Sequence, residues 1–330
     1  MGKKSIILKV IISLSILALL LYFVGFQKIW GTLKNIDLRF IPLIIALSFV
    51  HFLFGTLNLK LLTMPIVDIP FSKLFKYHTT SWAAGTLIPG RLGEFGLVYL
   101  LRDEGVMIGE GTAITVLDRM ITIFTLGIVS MLGLFLFLTP LQAFSYFITL
   151  VFALCILSYF IFSKGGRGLI VKLLKGYAKS FTGFSRTLTY FFRKHRLIIF
   201  ANLVITFIKW ILMTLLVFVL LLAFGVKANF FLVFIANVTT MIISLIPITI
   251  NGIGLKESAA VLLYFRIGVP ATVTLSVYLI TLVLAYVQCV LFLWLYFNKE
   301  TRKRFLPKLK AAFRPEEEEK HKGKWVKPKG

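Results

Sequence analysis

Long uncharged intervals constrain this chain more than any motif in it. Twenty uncharged residues separate Arg39 from Lys60, 44 separate Arg119 from Lys164, and 32 separate Arg266 from Lys299. An α-helix needs about 20 apolar residues to cross a bilayer. The intervals therefore predict full spans at 10–27, between Arg39 and Lys60, twice between Arg119 and Lys164, at 197–226 and between Arg266 and Lys299. Thr139-Pro140-Leu141-Gln142 supplies the turn inside the longest interval, and Lys209 is the lone charge within 197–226. This is the pattern of an all-α polytopic membrane protein with six full transmembrane helices. At 58% hydrophobic and 15% charged residues, with mean hydropathy +0.92, the chain excludes a soluble Rossmann enzyme, a zinc-finger protein, a secreted disulfide scaffold and a disordered chain.

Two apolar stretches fall outside this scheme. The first has only 14 uncharged residues between Lys76 and Arg91, ends in Gly85-Thr86-Leu87-Ile88-Pro89-Gly90 and resumes briefly at 95–101. The second, 228–246, stops at Pro247 and resumes after Glu257. Twelve basic residues follow from Lys299 onward, and the positive-inside rule keeps such a tail in the cytoplasm only if the second stretch returns to its starting side. We expect two oppositely inserted re-entrant hairpins, about 73–103 and 229–267, which raise the count to seven or eight if scored as spans. Both termini are then cytoplasmic, in a multi-pass protein of the plasma membrane.

The two stretches also resemble each other. Leu87-Ile88-Pro89 recurs as Leu245-Ile246-Pro247, each after a Thr-Thr pair and before glycines and a Glu. Glu94 precedes Gly105 by the same eleven residues that separate Glu257 from Gly268. An inverted repeat, about 39–138 and 197–297, is expected within a transmembrane domain of 1–298.

The net charge of +24 suggests nucleic acid in a soluble protein, but the charge sits beside hydrophobic spans. Nine basic and no acidic residues lie between Ser163 and Leu197. Cytoplasmic loops that meet anionic lipid head groups have this character, so membrane lipids and not nucleic acid are the expected partners. In the basic loop 163–197, Leu169, Leu173, Tyr177, Phe181, Phe184, Leu188 and Phe191 recur at helical spacing, predicting an amphipathic helix on the cytoplasmic leaflet or packed against another helix. The tail 299–330 reads as disordered. Cys155 and Cys289 lie in apolar runs as packing residues.

Irregular backbone at membrane depth is tolerated only where protein or a hydrated cavity covers it. Pro89, Gly90, Gly93, Pro247, Gly252 and Gly254 break the two hairpins and mark cavity linings. A charge at the bilayer centre costs on the order of 3 kcal/mol, so each one needs a partner or a water-filled site. The candidates for a lipid head-group site are Arg91, Glu94, Arg119, Lys209, Lys256 and Glu257. Arg91 and Lys256 suit a phosphate, or a salt bridge with the nearby Glu94 or Glu257. Glu94 and Glu257 either cap half-helices or carry protons. Asp118-Arg119 is either an interfacial pair or places Arg119 against the first hairpin. Lys209 lies midway along its span with no acidic neighbour in sequence. His51 reads as a packing residue, and His78, His195 and His321 are dispersed. No metal-ligand spacing, Walker A sequence, nucleophile elbow or paired-carboxylate site stands out, so no metal, no cofactor and no catalytic residue is expected. Asn237-Val238-Thr239 matches a glycosylation acceptor inside an apolar segment.

Pro89-Gly90-Arg91-Leu92-Gly93-Glu94, the Asp118-Arg119 pair and the run from Pro247 through Gly252-Ile253-Gly254 to Glu257 resemble the transmembrane region of the lysylphosphatidylglycerol synthases, also described as the flippase-like domain. The resemblance covers about residues 5–298. Larger members fuse this region to a soluble aminoacyl-transferase domain, and the membrane part is associated with moving the modified lipid between leaflets. No segment here fits such a domain, so the resemblance does not imply synthase activity. Members often carry an arginine after the second hairpin that mirrors Arg119, whereas Leu279-Ile280-Thr281-Leu282 stands there without a charge. The expectation is a translocase of an anionic lipid, either a phospholipid or a polyprenyl-phosphate-linked sugar. Two readings stay open beside it: a membrane-embedded enzyme on a lipid-linked substrate with Glu94 or Asp118 as base, and a non-catalytic subunit recruiting a lipid-modifying enzyme or glycosyltransferase.

Overall fold

The structure, a computed structural model of the chain, describes residues 3–87, 93–94, 96–137, 183–246 and 248–296, with a few positions between 139 and 148. Among the described residues there are eleven α-helices and no strand. In chain order they are α1 (Lys3–Val24), α2 (Phe26–Lys34), α3 (Ile41–Thr63), α4 (Phe71–Leu87), α5 (Gly96–Arg102), α6 (Ile108–Phe137), α7 (Phe184–Lys194), α8 (Arg196–Ala223), α9 (Phe230–Ser244), α10 (Leu255–Arg266) and α11 (Ala271–Tyr296).

Four stretches are long and apolar enough to cross a membrane: Leu38–Thr63, Ile108–Gly133, Arg196–Ala223 and Ala271–Leu295. A fifth results if α1 and α2 count together, although they bend by 80° where Gly25 takes φ +95°. The span expected at 10–27 therefore ends at this kink. Most of the fourth expected span, most of the basic loop, Cys155, His321 and the tail fall outside the described residues. The third expected span begins at Ile108, eleven residues ahead of Arg119. Asp118 and Arg119 thus lie well inside α6, not at its edge, because an ion pair and a polar cavity accommodate them there.

Two short helix pairs separate the long helices. At 1.5 Å per residue α4 and α5 measure about 25 and 10 Å, and α9 and α10 about 22 and 18 Å, against a hydrocarbon core of about 30 Å. Each pair folds back on itself. Near the start of α4, Lys73 meets Glu104, just beyond the end of α5, at 2.7 Å. The Tyr264 hydroxyl near the end of α10 donates to the Val233 carbonyl near the start of α9 at 3.5 Å. The order long, short, break, short, long occurs twice, in α3–α6 and in α8–α11.

Polar side chains join the long helices where apolar contact alone gives little drive inside lipid. Asn58 on α3 donates to the Thr206 hydroxyl on α8 at 2.8 Å, and Asn202 donates back to the Asn58 carbonyl at 3.2 Å. Asn237 on α9, fully buried, donates to Thr214 on α8 and accepts from Tyr278 on α11, both at 3.0 Å. This is the asparagine of the glycosylation match, and it is an internal strut. Cys289 packs on α4 and donates to the Ala83 carbonyl at 3.4 Å, in keeping with a packing role. The α9 helix also packs on α6, where a Cβ at Gly133 would come within 2.6 Å of Ile235. Of the amphipathic loop helix, α7 is described, and it buries Leu188 and Phe191 against α6 and α8, so this part packs on protein.

The break between α9 and α10 is held by α1. Asn251, Gly252 and Gly254 all take positive φ, at 50°, 77° and 82°. The Ile250 N–H that this turn leaves over donates to the Ser13 hydroxyl at 2.8 Å, and Ser13 donates onward to the Lys9 carbonyl at 2.7 Å. A Cβ on Gly254 would lie 2.9 Å from the Ser13 carbonyl oxygen, so only glycine admits α1 this close.

Candidate functional site

The two broken pairs and the long helices enclose a cavity of about 340 Å³. Three of its lining residues sit near mid-length of the long helices. Arg119 lies about 17 Å along α6, Lys209 about 20 Å along α8 and His51 about 15 Å along α3, counted at 1.5 Å per residue. Five of the six charged residues singled out in the sequence, Glu94, Arg119, Lys209, Lys256 and Glu257, line this one cavity. The sixth, Arg91, falls outside the described residues, as do Pro89, Gly90 and Pro247.

On the first pair, glycines bring Glu94 into place. A Cβ on Gly93 would run into the Ala84 carbonyl and lie 2.6 Å from the Gly85 nitrogen, and one on Gly85 would overlap the Glu94 side chain. The segment after the break therefore lies directly on the last turns of α4. The Ser81 hydroxyl fixes it further by donating to the Glu94 carbonyl at 2.6 Å. The Glu94 carboxylate then meets the Arg119 guanidinium at 2.7 Å across the cavity wall. The sequence places Arg91 nearest to Glu94, and in space a charge from 25 residues away, on α6, also reaches its carboxylate.

On the second pair, Glu257 has a different task. Its carboxylate accepts the Gly254 N–H at 2.7 Å, closing the first turn of α10, and the residue is 1% exposed. A carboxylate at this position satisfies an orphan donor and the positive end of the helix together. Beside it the Lys256 ammonium stands 5.3 Å from the centre of the Tyr278 ring, a cation–π contact. Where the family pattern would bring a second arginine, Thr281 and Leu282 of α11 line the cavity instead.

A smaller chamber of about 50 Å³ adjoins this space, sharing Glu94, Arg119, Lys209 and His78 with it and adding Asp118. Lys209, isolated in sequence, thus has Asp118 and Glu94 around the same chamber. The cavity also contains residues that the sequence did not mark for a site, His51 among them, which was expected only to pack. His51 on α3 and His78 on α4 both line it, with Trp82 and Trp210. The His78 ring nitrogen Nδ1 lies 3.2 Å from the Thr56 hydroxyl, and its ring occupies the space where a side chain on Gly55 would be. His51 and Gly55 stand four positions apart on one face of α3, a signal in the sequence that means nothing until His78 is known to pack there.

Chemically the large cavity presents three cations, Arg119, Lys209 and Lys256, and two carboxylates, Glu94 paired with Arg119 and Glu257 on the Gly254 N–H, so that one positive charge is left in excess. Such a set suits an anion better than a cation. Among the described residues no group of three or more His, Cys, Asp or Glu side chains is arranged to hold a metal ion.

A model of the family described as the lysylphosphatidylglycerol synthase TM region matches residues 6–315. No curated protein and no solved structure matches the chain.

Proposed function

The chain belongs to the lysylphosphatidylglycerol synthase transmembrane family, and from that membership we propose that it is a translocase, carrying an anionic lipid head group across the membrane through the cavity at mid-depth. The observation that carries this reading is the meeting of Arg119, Lys209 and Lys256 in one space between two broken helix pairs. A head group crossing the hydrocarbon core needs its phosphate charge met at the depth where water is absent. The three cations supply that. Glu94 and Glu257 organise the hairpins, and Arg91 adds to the phosphate contact from the first break.

The architecture behind the proposal is six full spans with two oppositely inserted re-entrant hairpins and an inverted repeat. Its support is the exchange of partners between halves. The α4 helix of the first half packs on α11 of the second, α9 of the second packs on α6 of the first, and α3 packs on α8. A pseudo-two-fold relation between the halves produces this pattern. With Lys60, Lys73 and Glu104 at one end of the bundle and Lys227 and Arg266 at the other, the two pairs enter from opposite ends. Both termini face the cytoplasm of the plasma membrane in this scheme, with the basic loop 163–197 gathering anionic lipid there.

The test is redistribution of a labelled anionic phospholipid between leaflets of proteoliposomes. The wild type moves it. Arg91→Gln and Arg119→Gln lower the rate at matched folding. Product formation from a lipid-linked substrate would favour an enzyme, and a stably co-purifying cytosolic protein would favour a recruiting subunit; either one, without lipid movement, sinks the translocase reading.

A further inference from the structure

The ties that join the long helices leave one helix out. Asn58 and Asn202 tie α3 to α8, Asn237 ties α9 to α8 and α11, and Cys289 ties α11 to α4. The α1 helix shares in none of them. Among the described residues its principal contacts are with α10 and α2, and Ser13 is its one buried side chain. Ile11, Leu14 and Leu19 are each more than half exposed, so most of α1 faces lipid.

What α1 covers is a thin part of the cavity wall. Asn251 and Ile253 line the cavity, whereas the Ile250 N–H and Gly254, on either side of them in the chain, meet α1 at Ser13 and Ile16. No described residue of α1 lines the cavity itself. A single run of irregular chain therefore has the cavity on one side and α1 on the other. Leu245, Ile246 and Ile248 at the same break are exposed, an apolar rim that suits hydrocarbon.

The attachments of α1 form an anchor, a hinge and a latch. The anchor is α2: it packs on α11 with Ile29 buried, and beyond it the Asp37 N–H donates to the Ala223 carbonyl at the end of α8 at 2.9 Å. The hinge is Gly25, whose φ of +95° separates α2 from α1 at the 80° bend. The latch is the 2.8 Å hydrogen bond from the Ile250 N–H to the Ser13 hydroxyl. Ser13 lies about 18 Å along the helix from Gly25, so a pivot of about 20° carries it about 6 Å, room for one hydrocarbon chain. Elements with few buried contacts open first, and α1 has the fewest attachments of the spanning helices described.

Resting on the translocase reading above, we propose that α1 is a lateral gate, which pivots at Gly25 away from the second break and admits the lipid to the cavity from the bilayer. A lipid comes to such a cavity sideways because its chains stay in the hydrocarbon. When the Ser13 latch opens, the run 248–254 is no longer pinned and the cavity meets the bilayer there. The chains then lie along Leu245, Ile246 and Ile248, and the head group passes to Lys256, the cavity cation nearest this break in sequence.

The experiment locks the gate. In the full chain carrying Cys155→Ala and Cys289→Ala, Ser13→Cys and Ile250→Cys are joined by a short, reducible bis-methanethiosulfonate, and redistribution of a labelled anionic phospholipid is followed in proteoliposomes. The expected result is a rate at least tenfold lower when linked, restored to the unlinked rate by reductant. A second measurement leaves the latch residues alone. Spin labels on Leu14→Cys and Leu262→Cys, both on exposed faces, report the distance between α1 and α10 in nanodiscs. Two populations about 5 Å or more apart are expected, and adding Ser13→Ala raises the ratio of the longer to the shorter at least fivefold. A linked protein that moves lipid at the unlinked rate overturns the gate, as does a single distance unchanged by Ser13→Ala. If the unlinked protein moves no anionic lipid, the translocase reading fails and the gate with it, whereas movement that the link does not slow leaves that reading standing and removes only the gate.

Discussion

Replacing Ser13 with alanine tests how the second break is held at membrane depth. Ser13 is 2% exposed, and its hydroxyl accepts the Ile250 N–H at 2.8 Å. Alanine takes away the acceptor and opens no room for a lipid group to replace it. A buried donor stranded in this way costs about 1 to 3 kcal/mol, and each 1.4 kcal/mol is tenfold in an equilibrium constant, so local opening becomes roughly 5- to 150-fold more frequent. Hydrogen exchange followed by mass spectrometry in nanodiscs reads this directly. Peptides covering 248–256 lose protection by that factor, while peptides covering the start of α4 and the end of α5 keep theirs. Ser13→Thr, which retains a hydroxyl, stays close to wild type. Unchanged protection at 248–256 in the alanine variant would refute the claim that α1 secures this turn.

Breaking the Glu94–Arg119 contact yields a coupled pair. In SDS-driven unfolding of Glu94→Gln, Arg119→Gln and the double variant, the two losses fail to add by about 1 kcal/mol or more, and additivity within about 0.5 kcal/mol would mean the 2.7 Å contact carries nothing. Gly93→Ala forces a methyl into the Ala84 carbonyl and costs about 1 to 3 kcal/mol in the same assay, with lipid movement falling alongside; a variant of wild-type stability would show that the segment does not lie on α4 as described. Asn237→Ala strands partners on α8 and α11 that are themselves buried, and loses roughly 2 to 4 kcal/mol, whereas a loss under about 0.5 kcal/mol would remove it as an internal strut.

The span positions were largely legible because a bilayer imposes a length on apolar runs, and α3, α8 and α11 follow the intervals between charges closely. The same rule misplaced the start of α6. It reads Arg119 as a boundary, while a charge that finds a carboxylate at the same depth sits inside a span without ending it. Lys209 escaped that error only because apolar sequence continues on both sides of it. The break after α9 was visible in its glycines, which the chain needs at φ of 77° and 82°. Gly25 gives no such signal, since a glycine at the end of an apolar run reads as a loop and not as an 80° bend. His51 and His78 are 27 residues apart with no spacing pattern between them, so their shared cavity follows from how α3 and α4 pack and not from local sequence. Glu94 and Glu257 looked equivalent in the repeat. The structure separates them, one held by an arginine across the cavity and one closing a helix end, because only the first half carries that arginine.

The most direct test of the central claim is the rate of anionic lipid redistribution in proteoliposomes containing Lys209→Gln, set against Lys227→Gln. Lys209 lines the cavity midway along α8, and Lys227 is exposed beyond the end of that helix. The account predicts that the first substitution lowers the rate at least tenfold while the second leaves it within twofold of wild type. Equal rates for the two variants, in protein of equal folded fraction, would contradict a path for the head group through this cavity.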